Sequence, residues 1–205
     1  MINTETKLFG SFSTNPGNNG NIFFNDMFRK FNINAIYKSF YSDNIEETIL
    51  STKHLGFFGF ALSSPHKVNV LKYLDEIDEV ANEIGSCNTI INKNGKLKGY
   101  NTDWIGVEKV LPVGLNHLTI VGNGGFSKSV QYVCKKNNIQ FTIVGREGLD
   151  DLKTISGYVF NATPVEINTS DILIDGRPNT ETGKMIAKFQ AIEQFKLYTG
   201  IDYNE

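Results

Sequence analysis

The first third of the chain alternates short apolar runs with amphipathic ones. "KLFGSF" reads as a strand, "NIFFNDMFRKF" as a helix, "AIYKSFY" as a strand, "IEETILST" as a helix and "FFGFALS" as a strand. Strands that alternate with helices build a mostly parallel sheet carrying helices on its faces, so the pattern predicts an α/β fold. The polar stretch "STNPGNNGN" between the first strand and the first helix is a loop, and the helix is predicted to begin near Ile22. Further on, "VNVLKYLDEIDEVANEIGS" spaces Leu71, Leu74, Ile77, Ala81 and Ile84 at three- and four-residue intervals. That spacing is the stripe of an amphipathic helix, broken into two near Asp75 in one reading.

The second half follows a different plan. In "NTIINKNGKLKGYNTD" the pair Asn94-Gly95 sits between two short strands, the strongest local signal for a two-residue hairpin. A Pro-Gly region, "LPVGLNH", then precedes "LTIVGNGGFSKSVQYVCKKNNIQFTIVGRE", which reads as strand, glycine loop, helix and second strand. Gly122, Gly124 and Gly125 fall between the apolar strand and a helix from about Gly125 to Asn137. Glycine lets a backbone approach a pyrophosphate closely, and a helix N-terminus offers N–H groups to the anion. Arg146, at the end of the second strand, stands where the adenosine ribose of a dinucleotide lies; an arginine there pairs with a 2′-phosphate and favours NADP, with NAD as the alternative. The expected organisation is a domain over 1–107, a reduced Rossmann-like domain of about four strands over 108–182, and a C-terminal helix, 183–199, that packs back on the first.

The stretch "FALSSPHK" runs from a strand into a helix start and places Lys67 at that start. The end carries partial positive charge, which disfavours an ammonium unless a carboxylate offsets it, so Lys67 calls for a partner. Composition narrows the chemistry. The 205 residues are 40% hydrophobic, enough for a packed core, and the net charge of −2 with no basic block argues against a nucleic-acid partner. No apolar run reaches the roughly 18 residues needed to cross a bilayer, and "MINTETKLFG" lacks a signal pattern, so the expected setting is the cytoplasm. Cys87 and Cys134 show no metal-ligand spacing and read as buried free thiols; no metal is expected.

Taken together, "SSPHK", "IGSCNTII", "GYNTDWIG", "VGNGGFS", "VGR", "FNATP" and "QAIEQFKLYTG" resemble, in order and close to the same spacing, the motifs of shikimate dehydrogenases and their quinate-using relatives. The resemblance covers nearly the whole chain. It implies an N-terminal substrate domain and a nucleotide domain with a cleft between them, and NADP-dependent, reversible reduction of 3-dehydroshikimate to shikimate. By the same match Lys67 and Asp103 are the catalytic pair. Asn88 and Asn101 bind ring hydroxyls or order that pair, Ser63 replaces a threonine, and Gln190 reaches the substrate from the C-terminal helix. Gly122, Gly124, Gly125, Phe126, Ser127, Arg146, Asn161 and Thr163 fall on the cofactor motifs. The partner is a small molecule, and the assembly is a monomer or homodimer.

Three departures from the family pattern stand out. The Ser-x-Ser-Pro element that binds the substrate carboxylate is replaced by the Asn-rich loop, where Asn19 and Asn21 are the candidate donors. The residues before the PHK motif read "ALS" where "NVT" is usual, so Ala61 supplies no amide. The second domain is shorter than in ordinary members. These departures support a second expectation, a catalytically silent small-molecule or nucleotide-binding member of the same fold.

Overall fold

The computed structural model describes residues 2–145, 157–169 and 171–203. Among them the chain divides into two compact units, 1–102 with 191–205, and 103–190. The division falls at Thr102/Asp103, five residues ahead of the boundary expected from the Pro-Gly region, because the helix Asp103–Glu108 buries Val107 in the second core.

In the first unit β1 (Lys7–Ser13), β2 (Ala35–Tyr41) and β3 (Phe57–Leu62) run parallel, separated by α1 (Asn19–Lys30) and α2 (Ile45–His54). β5 (Thr89–Lys93) and β6 (Lys96–Tyr100) add an antiparallel hairpin, and the short β4 (Glu76–Ile77) pairs parallel with β6. The sheet order is β2-β1-β3-β5-β6-β4, and it is parallel except for the two pairings made by β5, so the mostly parallel sheet expected carries one antiparallel strand. The turn holds Asn94 at φ 54° and Gly95 at φ 86°, the left-handed pair that a two-residue hairpin requires. One core gathers Phe9, Phe24, Met27, Phe28, Tyr37 and Phe195 around α1, and another gathers Phe12, Ile49, Phe57, Phe60 and Leu62. Each such side chain taken fully from water contributes about 1.5–3 kcal/mol.

Two sequence expectations are corrected. Residues 68–86 do not form one helix; the break expected near Asp75 is there, and it holds a short strand that the spacing does not show. After α3 (His66–Asn69) and a 3₁₀ turn over Val70–Tyr73 the chain extends through β4, and a separate helix, α4 (Glu79–Ile84), starts where Asp78 accepts a hydrogen bond from Val80 N–H. α1 begins at Asn19, three residues earlier than expected, so Asn21 lies inside its first turn. There Asn21 Oδ1 accepts from Ser39 N–H at 2.7 Å, while Asn25 exchanges bonds of 2.9 and 2.8 Å with the N–H and C=O of Tyr37 on the edge strand β2.

In the second unit α5 (Asp103–Glu108) precedes β7 (His117–Val121), α6 (Gly125–Lys136), β8 (Gln140–Val144), β9 (Tyr158–Asn161) and β10 (Ile172–Asp175). The four strands form a fully parallel sheet ordered β10-β9-β7-β8. Leu118, Ile120, Val130, Val133, Cys134 and Phe160 fill its core. α7 (Glu181–Thr199) begins in this unit, and from Ala191 onward its residues belong to the first. Cys87 and Cys134 are buried and free. No helix among the described residues is long and apolar enough to cross a membrane.

Candidate functional site

The hairpin register brings three of the sequence motifs to one end of the first sheet. Thr89 opens β5 and Tyr100 closes β6, and the two lie opposite one another. The residues just outside them, Asn88 and Asn101-Thr102, are therefore neighbours, with Asn88 N–H bonded to Tyr100 C=O at 3.1 Å. β3 runs antiparallel to β5, so its carboxyl end arrives at the same place, where Leu62 N–H donates to Asn88 C=O at 2.8 Å. The turn after β3 is tied in as well, because Cys87 N–H donates to Lys67 C=O at 2.8 Å.

Asn88 is the hub. Its Oδ1 accepts from Thr102 N–H at 2.8 Å and from Thr89 Oγ1 at 2.9 Å, and its Nδ2 donates to Thr102 Oγ1 at 3.0 Å. Asn101 Nδ2 donates to Ser86 C=O at 2.9 Å and to Ser86 Oγ at 3.0 Å. All of these residues are buried. Buried polar groups are tolerated when hydrogen-bonded, and a network satisfied at each node fixes its members in place. Lys67 is half-buried in the short α3, and Ser63, on the same turn, is exposed with its N–H on Phe12 C=O. Asp103, the next residue after Thr102, is buried at the start of α5 and belongs to the second unit.

One member of this network is absent from the motif reading. Gln194 on α7 donates from Nε2 to Thr89 Oγ1 at 2.9 Å and is buried. Gln190, the residue singled out by the motif, is half-buried one turn earlier on the same helical face. The loop residues lie apart from the hub. Asn19 is exposed at the first position of α1, and Asn21 has both ends of its amide engaged, Oδ1 with Ser39 N–H and Nδ2 with Asn18 Oδ1 at 2.9 Å.

The second unit offers a different kind of site. The connection β7-α6-β8 leads to one side of β7 and β9 lies on its other side, so the chain reverses direction between β7 and β9. In parallel α/β sheets ligands occupy the crevice at such a point, outside the carboxyl ends of the strands. Gly122 follows β7 there with φ 108°, and a Cβ on it would come within 2.9 Å of Thr163 Cγ2, so the space is available only to glycine. Gly124 caps α6, and Gly125, Phe126 and Ser127 make its first turn. Ser127 Oγ donates to Gly122 C=O at 2.7 Å, and the Phe126 ring packs on Phe160. On the facing loop Asn161 Oδ1 accepts from Thr163 N–H at 3.0 Å and Thr163 Oγ1 at 2.7 Å. A glycine-lined approach leading to a helix N-terminus fits the pyrophosphate of a dinucleotide. Arg146 lies outside the described residues.

Burial pushes the Cys87 thiol up to about 12, with a smaller push from the Asp78 carboxylate, and the Cys134 thiol up to about 11. Neither is a reactive thiolate at neutral pH.

Comparison with known proteins shows the family. Residues 20–90 match the shikimate dehydrogenase substrate binding domain. Shikimate dehydrogenase (NADP(+)) of Methanococcus maripaludis is 34% identical over 200 residues, spanning 87% of this chain and 70% of that protein. A shikimate dehydrogenase-like protein of Haemophilus influenzae is 35% identical over 182 residues, 85% of this chain and 67% of its own length. A solved shikimate dehydrogenase in complex with NADP+ is 26% identical with a TM-score of 0.74, covering 100% of this chain and 93% of that one. The chain is a member of the shikimate dehydrogenase family.

Proposed function

We propose that this chain is an NADP-dependent oxidoreductase that reversibly reduces 3-dehydroshikimate, or a close cyclohexane analogue, to the alcohol, with Lys67 and Asp103 as its acid–base pair. The observation that carries the reading is the convergence of residues 63–67, 87–89 and 101–102 on the Asn88 network at one end of the first sheet. The bound dinucleotide supplies the hydride. Gly122, Gly124, Gly125, Phe126, Ser127, Asn161 and Thr163 line its crevice, and Arg146 takes the 2′-phosphate. Lys67 hydrogen-bonds the carbonyl oxygen and delivers a proton as negative charge develops on it, and Asp103 orients the ammonium. Asn88 and Asn101 meet the ring hydroxyls or hold the strand ends that present the pair, and Ser63 and Gln190 meet the substrate. Of the two loop candidates for the carboxylate, Asn19 is exposed and is the donor proposed, while the amide of Asn21 is engaged by Ser39 N–H and Asn18. The enzyme acts in the cytoplasm as a monomer or homodimer.

Titrating NADPH fluorescence with the purified chain, then following absorbance at the nicotinamide band with shikimate and NADP+, tests the reading. Saturable binding with turnover is expected. Binding without turnover of shikimate, quinate or dehydroshikimate would convert the chain to the silent member, a reading favoured by Ala61 and by the engaged amide of Asn21.

A further inference from the structure

A polar chain at the carboxyl ends of β9 and β10 reaches the crevice through Asn161, but its members Asp175 and Arg177 have no part in the proposed chemistry. Asp175 closes β10 with its side chain only 10% exposed, and Arg177, two residues on, is 15% exposed. Asp175 Oδ1 accepts from Arg177 N–H at 3.1 Å, from Arg177 Nε at 3.2 Å and from Asn161 Nδ2 at 3.3 Å. Its Oδ2 accepts from Arg177 Nε at 2.9 Å and Nη2 at 2.8 Å. Asn161 Nδ2 also donates to Val165 C=O at 2.8 Å, while its Oδ1 faces Thr163, whose methyl stands against Gly122. Arg177 Nη1 reaches Glu166 on the same loop at 3.3 Å, a side chain that is 73% exposed.

We propose that Arg177, acting through Asp175 and Asn161, is a positioning residue that sets the geometry of the loop facing the glycine turn and thereby the affinity for the dinucleotide. The inference rests on the reading of this crevice as the NADP site. A carboxylate accepts hydrogen bonds, so Asp175 adds a further acceptor to the orientation that Val165 C=O and Thr163 N–H set, with the NH₂ of Asn161 toward the carboxylate and the amide oxygen toward Thr163. A carboxylate this buried stays ionised at low cost only if paired, and the guanidinium does this through two nitrogens in a fork that lysine cannot reproduce. Removing the pair takes one of the anchors from the Asn161 amide, whose other anchors are Val165 C=O and Thr163, and so loosens the hold on Thr163 at Gly122.

The test measures NADPH dissociation constants by fluorescence, and hydrogen exchange at the Thr163 amide, for the wild type and for Asp175→Asn, Arg177→Gln, Arg177→Lys and Glu166→Gln, all below their melting temperatures. Asp175→Asn and Arg177→Gln are expected to weaken NADPH by about tenfold or more, and the double variant to be no worse than the weaker single one, as coupled neighbours behave. Arg177→Lys falls between, and Glu166→Gln stays within about twofold because its ion pair is exposed. Thr163 amide protection falls in the same order, and the Michaelis constant for the acid substrate is unchanged. Variants that melt lower yet keep wild-type NADPH affinity and Thr163 protection would overturn the inference and leave the pair purely structural. A wild type that binds no dinucleotide overturns the parent reading; loss of Thr163 protection in Asp175→Asn would then still support the loop-setting role, and unchanged protection would refute it.

Discussion

The two units build their working surfaces by opposite means. At the end of the first sheet the structure is knitted by side chains: Asn88 alone holds Thr89 and the backbone and hydroxyl of Thr102. At the mouth of the second sheet the working feature is a missing side chain, since Gly122 leaves room that a Cβ would close against Thr163. A surface made of functional groups fails when a group is changed. One made of space fails when the space is filled. Damage to the first should therefore appear in turnover and damage to the second in binding, and four experiments press on that distinction.

The largest effect is expected from Lys67→Ala, which removes the proposed proton donor. Turnover should fall by about 10²- to 10⁴-fold with the Michaelis constants nearly unchanged, because the ammonium acts on charge present only in the transition state. Steady-state kinetics with shikimate and NADP+ measures it, and near wild-type turnover would take Lys67 out of the mechanism. Gly122→Val fills the crevice and puts a β-branched residue at φ 108°, which costs of order 1–3 kcal/mol in backbone strain alone. NADPH binding should be lost at temperatures where the first unit is still folded; retained affinity would break the idea of a site made of space.

Asn21→Ala is expected to act on stability. Ser39 N–H loses its acceptor, a loss of about 1 kcal/mol, and the Michaelis constant for the acid substrate stays put. A raised Michaelis constant in a variant that melts normally would return Asn21 to the carboxylate. The smallest effect concerns the thiols, one in each unit. Both are raised by burial, so the folded chain holds these protons more tightly than the unfolded one, whose thiols titrate near about 8.5. Their contribution is intact below that value and is lost as pH rises from there toward the folded values. Melting temperature followed from pH 7 upward should decline beyond about pH 8.5, and Cys134→Ala and Cys87→Ala should each flatten part of the decline. A decline as steep in both variants as in the wild type would place its origin elsewhere.

What the sequence revealed depended on how local each cause was. The Asn94-Gly95 turn was readable because its backbone requirement lies within two residues, and it alone brings the CNT and NTD motifs together. The glycine loop was readable for the same reason, and the family inferred from these motifs is the one the comparisons show. In residues 68–86 the spacing shows the helical pieces and the break near Asp75 but not the strand within it, because the pairing of Glu76 and Ile77 with Lys98 and Gly99 is decided by a strand some twenty residues away. In the loop before α1, asparagines at 18, 19 and 21 are equally good helix starters by type, so the start was misplaced. Gln194 was invisible because its partner, Thr89, stands 105 positions earlier in the chain.

The amide of Asn25 has a consequence of its own. β2 is the outermost strand of its sheet, and such strands are templates on which another chain can add a strand and begin to aggregate. Asn25 offers Tyr37 the same acceptor and donor that an incoming backbone would, and Asn21 does so for the Ser39 N–H. Two carboxamides thus counterfeit the neighbour that β2 lacks, and they occupy both backbone groups of Tyr37 and the Ser39 N–H. The asparagine-rich character of this segment is in part a safeguard for solubility, and its loss would be felt first in concentrated solution and only later in an assay.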